Sequence, residues 1–169
     1  ERFDRVSIGR KEGRKGVLSL EALVNEFVEE ARSWSDAAVK LFKQKIISDE
    51  MVTQICKLEL FGRFIGNTDM HFGNLSFFSE GEKILGIAPV YDMLPMLYAP
   101  QGHQIIERNF DPKILSHAEL LIAKEMFPLA VGFWGKISEH TQISKSFRMI
   151  AKENLQKVEN LRSVMNQIE

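Results

Sequence analysis

The sequence contains a single cysteine, Cys56, which excludes an internal disulfide and any cysteine-cluster zinc site. That usage fits a reducing cytoplasm, the expected location. Long apolar runs are missing too: none reaches the roughly 18 residues that a membrane-spanning helix requires. An excess of one charge is also absent. The formal net charge of −1 argues against a dedicated polyanion binder, so direct nucleic-acid binding is not expected. No basic stretch followed by an apolar one marks a signal peptide. With no secretion signal, the sequon Asn74-Leu75-Ser76 is read as chance. There is no initiator methionine either, and the first residues read as a strand. The expectation is a piece cut from a longer chain.

What is present is the composition of an ordinary globular protein. The 169 residues are 44% hydrophobic and 27% charged, enough for one domain over 1–169 with a real core. A chain of this size buries roughly 68–70% of its unfolded surface. Residues 1–8 read as a strand, Gly9–Gly16 as a basic, glycine-rich turn, and Val17-Leu18 as the strand returning from it. Ser19 is an N-cap for a helix over 20–32, and Ser33 with Asp36 has the capping-box spacing before a helix over 36–46. A third helix is predicted over 49–65. Two short apolar runs, Leu75–Phe78 and Ile84–Tyr91, flank a hairpin connection at 79–83. Ser116-x-x-Glu119 is a capping box for the next helix, which Pro128 is expected to end or kink. A last amphipathic helix spans 144–168. The fold class is mainly α with a small β insert (α+β).

The chemically informative stretch is Gly66–Asn74, followed by Tyr91-Asp92. Phosphoryl transfer from ATP needs a carboxylate to receive a hydroxyl proton and oxygen ligands to hold magnesium on the phosphates. Asp69 and Asn74 have the five-residue spacing of a kinase catalytic loop, and Asp92 follows after the predicted hairpin. On that pattern Asp69 is the base, and Asn74 and Asp92 are the magnesium ligands. His71 occupies the place where ordinary protein kinases carry a lysine, as in lipid-kinase-like loops, and offers a donor to a phosphate or ribose oxygen. Asn67 and Thr68 are read as shaping the loop. An Asp and an Asn five apart also occur in Asx-rich turns, and spacing alone leaves both readings open.

The segments GNTDMHFGNLSFF and LGIAPVYDMLP resemble the signature of the HipA-like kinases, the toxin components of bacterial toxin–antitoxin pairs. The opening ERFDR, its basic turn and SLEAL are similar to the segment by which those kinases leave their N-terminal lobe. The specific motifs cover residues 1–95. The resemblance implies a C-terminal, protein-kinase-like lobe whose ATP-binding lobe lies upstream, and an isolated piece without activity. It also implies transfer of phosphate from ATP, with Mg²⁺, to a serine or threonine hydroxyl on a protein substrate, and a DNA-binding antitoxin as partner. Asp69 and His71 take catalytic roles, Asn74 and Asp92 the metal, and Glu1, Phe3, Asp4 and His71 the nucleotide. One departure is Gly73, where many members carry a lysine. The alternatives are a non-catalytic docking module of the same fold and a kinase for a lipid or small-molecule hydroxyl. A membrane-binding amphipathic helix is not apparent, which counts against the lipid reading.

Overall fold

The computed structural model describes residues 3–8, 11–100, 102, 108–114 and 116–166. Glu1 lies outside the described residues. Five strands and five helices follow in chain order: β1 (Arg5–Ile8), β2 (Lys11–Arg14), β3 (Gly16–Ser19), α1 (Leu20–Phe27), α2 (Trp34–Lys43), α3 (Asp49–Phe64), β4 (Ser76–Glu80), β5 (Lys83–Ile87), α4 (His117–Glu139) and α5 (Lys145–Asn166). The chain divides into two compact units, with the boundary falling inside α3. One comprises residues 1–55 and 70–93, the other 56–69 and 94–169.

In the first unit, β1 and β2 form an antiparallel pair, while β3, β4 and β5 form a separate antiparallel sheet in that order. Two sequence expectations are corrected here. The basic segment after Ile8 is not wholly a turn, because Lys11–Arg14 is strand β2. Val17 and Leu18 do not return onto residues 1–8 but pair with Phe78 and Phe77 of β4. Gly16 opens that ladder opposite Ser79, and a Cβ there would stand 2.5 Å from the Ser79 carbonyl oxygen. The β4–β5 turn contains Gly81 at φ 58°, the left-handed conformation that glycine adopts without strain.

Ser19 caps α1 through Ala22 N–H, and Ser33 caps α2 through Asp36 N–H, both as the sequence predicts. Helix α1 stops at Phe27 instead of running to residue 32. Side chains of α2 and of Gln44, which caps its end, take the backbone groups that a longer helix would use: Gln44 donates to the Phe27 carbonyl, Lys40 to the Glu30 carbonyl, and Asp36 accepts from Arg32 N–H. Leu20, Leu23, Trp34, Ala38, Leu41 and Phe77 are buried.

The second unit is built on α4 and α5. Ser116 caps α4 through Glu119 N–H. Pro128 neither ends nor interrupts this helix, which continues to Glu139. It sits on the exposed side of the helix, away from the core. Burial of Ala123, Met126, Phe127, Ala130 and Trp134 outweighs the local proline preference. Trp134 donates its indole N–H to the Phe64 carbonyl at 2.9 Å and meets the rings of Tyr98, Phe110 and Phe133. Tyr98 and Asn154 form a polar pair: the phenol donates to Oδ1 at 3.0 Å and accepts from Nδ2 at 2.8 Å. Burial raises the Tyr98 phenol pKa above its ordinary value, with Asn154 opposing the shift. Arg63 grips the Glu119 carboxylate with both terminal nitrogens.

Candidate functional site

The end of α3 sets up the loop. Gly66 adopts φ 73°, its N–H donates to the Arg63 carbonyl, and Asn67 N–H donates to the Gly62 carbonyl at 2.8 Å. These are the two bonds of a Schellman termination, and they require a residue that enters the left-handed region freely. A Cβ at Gly66 would also meet the Phe110 ring at 3.4 Å. Asn67, buried, then accepts the Asp69 N–H on its Oδ1 at 3.0 Å, an Asx turn that shapes the chain around an exposed Asp69. This bond gives Asn67 the loop-shaping part expected from the sequence.

The first unit takes up the chain at Met70. His71 caps a short 3₁₀ turn at Phe72–Asn74, with Nδ1 accepting the Gly73 N–H at 3.0 Å. With that lone pair engaged, a neutral ring carries its proton on Nε2. The His71 carbonyl accepts two donors, the Trp34 indole N–H at 3.0 Å and the Asn74 N–H at 3.1 Å. Trp34 is 1% exposed, so this loop is bolted to the core of its unit. Tyr91 makes the next tie: its hydroxyl donates to the Gly73 carbonyl at 2.7 Å and lies 2.7 Å from Ser76 Oγ. The residue before Asp92 is thus bonded to the residue before Asn74.

Asn74 is 8% exposed, whereas His71 and Asp92 are exposed. Asp92 has φ 51°, a left-handed backbone that Asp tolerates better than most non-glycine residues. Phe3 lies against Tyr91 with ring centroids 6.0 Å apart and planes at 17°, and meets Phe78 edge-on. Asp4 lies beside Arg5, with 3.9 Å between carboxylate and guanidinium. Phe3, Asp4, His71, Asn74 and Asp92 therefore all belong to the first unit, and Asp69 is the last residue of its segment in the second.

Trp34 and Tyr91 were missed as site-building residues. The signal available was an aromatic with a polar tip beside each motif, a type that finds a hydrogen-bond partner when buried. Among the described residues no three His, Cys, Asp or Glu side chains gather as a metal cluster. No helix among them is long and apolar enough to cross a membrane.

The HipA-like C-terminal domain family matches residues 1–167, and the chain belongs to that family. It is similar to Toxin YjjJ of Escherichia coli (strain K12), at 38% identity over 166 residues, covering 95% of this chain and 36% of that protein. The chain thus spans about a third of that relative's length. In fold it is similar to HipA in the complex of Shewanella oneidensis MR-1 HipA, HipB and operator DNA, with a TM-score of 0.60 and 18% identity. That match covers 99% of this chain and 49% of the other.

Proposed function

We propose that this chain is the catalytic lobe of a HipA-like toxin that transfers the γ-phosphoryl group of ATP, with magnesium, to a serine or threonine hydroxyl on another protein. The observation that carries the reading is the Tyr91–Gly73 bond at 2.7 Å. It ties the approach to Asp92 to the approach to Asn74 and keeps two oxygen donors on neighbouring stretches of one unit. One carboxylate and one amide oxygen suit magnesium, which retains waters and substrate phosphate oxygens instead of demanding an all-protein cage.

In this reading Asn74 and Asp92 hold the cation, whose charge offsets that on the phosphates. Asp69 accepts the proton as the acceptor hydroxyl oxygen bonds to the γ-phosphorus and the bond to ADP breaks. The exposed carboxylate of Asp69 supports that role, since proton transfer requires access to substrate. His71 donates from Nε2 to a nucleotide oxygen, and Phe3 and Asp4 line the nucleotide side. A DNA-binding antitoxin is the proposed partner, by analogy with the HipA–HipB complex, and the reducing cytoplasm the proposed location.

Labelled-ATP transfer to protein acceptors by the full-length protein tests the reading. Asp69→Ala is expected to lower the rate by about 10²–10⁴-fold, the usual worth of a general base. Transfer at the parent rate would remove Asp69 from the mechanism.

A further inference from the structure

We infer that Gly73 is a positioning residue for His71, and that its missing side chain selects which nitrogen of that ring faces a ligand. A Cβ built on Gly73 would stand 2.9 Å from both Cε1 and Nδ1 of His71, closer than packed carbon atoms approach. The backbone is not the obstacle. Among the described glycines, the positive φ values belong to Gly66, Gly81 and Gly102, so position 73 admits an L residue. The carbonyl of His71 is held by Trp34 and Asn74, so its main chain is not free to yield. What yields is the imidazole. Moving it breaks the 3.0 Å bond from Gly73 N–H to Nδ1, the contact that leaves the ring proton on Nε2.

Glycine at 73 therefore keeps Nδ1 of His71 engaged by the backbone and leaves Nε2 to donate to an acceptor such as a phosphate or ribose oxygen. The identity of that acceptor rests on the kinase reading; the ring geometry does not. A lysine at this position is incompatible with the His71 arrangement seen here. The departure noted in the sequence is thus an exchange of one loop arrangement for another.

The test uses full-length protein with ¹⁵N-labelled histidine in alkaline buffer, where imidazoles are neutral. His71 is assigned by its loss in His71→Ala, and long-range ¹H–¹⁵N correlations report the tautomer. The parent is expected to show His71 protonated on Nε2, and Gly73→Ala a mixture of both forms, with ATP binding weakened about three- to tenfold, the worth of one hydrogen bond. Identical His71 spectra in parent and Gly73→Ala would overturn the proposal. A double-mutant cycle guards against misfolding, because without the ring the nearest atom to an added methyl is Glu21 Oε2, at an ordinary contact distance of 3.5 Å. In a His71→Ala background, Gly73→Ala is expected to be neutral for melting temperature and ATP affinity; an equal loss in both backgrounds would also overturn it. Failure of the parent to bind ATP would count against the kinase reading alone, since the spectra decide the geometry independently.

Discussion

The phenol of Tyr91 donates its proton to the carbonyl oxygen of Gly73 at 2.7 Å, joining the strand exit after β5 to the turn that carries Asn74. Removing that hydroxyl while keeping the ring isolates the effect of the tie. Tyr91→Phe preserves stacking on Phe3 but leaves a part-buried carbonyl and Ser76 without this partner. The expected loss is about 1–3 kcal/mol of stability, read by chemical denaturation. If the tie aligns the proposed magnesium ligands, the magnesium concentration for half-maximal transfer rises as well. Unchanged stability together with an unchanged magnesium requirement would deny the bond any role.

Asp92 has a left-handed backbone, φ 51°, and an exposed side chain. Asp92→Asn keeps the shape and the tolerance for that conformation but removes the negative charge. Folding stability is expected to change by no more than about 0.5 kcal/mol, as for an ordinary surface substitution. The magnesium dependence of phosphoryl transfer is expected to shift to higher concentration. Activity titrations against magnesium chloride decide the point, and superimposable curves would end the ligand assignment.

In the second unit, Tyr98 and Asn154 test folding without touching the proposed chemistry. Asn154 is 2% exposed, so Tyr98→Phe strands a buried amide and is expected to cost about 1–3 kcal/mol. The pH dependence has a definite sign. Burial favours the protonated phenol in the folded state, so above the ordinary value of 10.0 the unfolded chain releases its proton first. Stability contributed by this proton is complete below that pH and falls as pH rises beyond it. Denaturation midpoints measured across this alkaline range are expected to fall less steeply in Tyr98→Phe than in the parent. Parallel slopes would show that Tyr98 is not the group responsible.

Much of the scaffold was legible because it is encoded locally. Ser19, Ser33 and Ser116 each announce a helix start, and each accepts the backbone N–H three residues on. The β4–β5 hairpin follows from two apolar runs around Gly81. What escaped the sequence was set by distant partners. The end of α1 depends on Asp36 and Lys40 of the following helix and on Gln44 just past its end, and β3 finds β4 far along the chain instead of its near neighbour. Pro128 carries a strong local preference, yet burial on the opposite face of α4 decides the matter.

The candidate site divides in the same way. Asp69, His71, Asn74 and Asp92 stood out by spacing and by resemblance to a family signature. Trp34 and Tyr91 were given no role, because their contribution is a bond to a main-chain oxygen, and a polar-tipped aromatic beside a motif does not say which oxygen it meets. The local coupling between His71 and Gly73 was equally hidden. Residue 73 drew notice only as a lysine replaced, whereas the ring beside it explains what a glycine there permits.

The contact between Gly16 and Ser79 has an evolutionary consequence. A methyl group at position 16 would press on main chain, which cannot rotate aside as a side chain can, at 2.5 Å from an oxygen. Drift at this codon is therefore confined to silent changes unless strand β4 recedes in step. Descendants of this lineage are expected to keep the smallest amino acid there long after neighbouring surface positions have been rewritten.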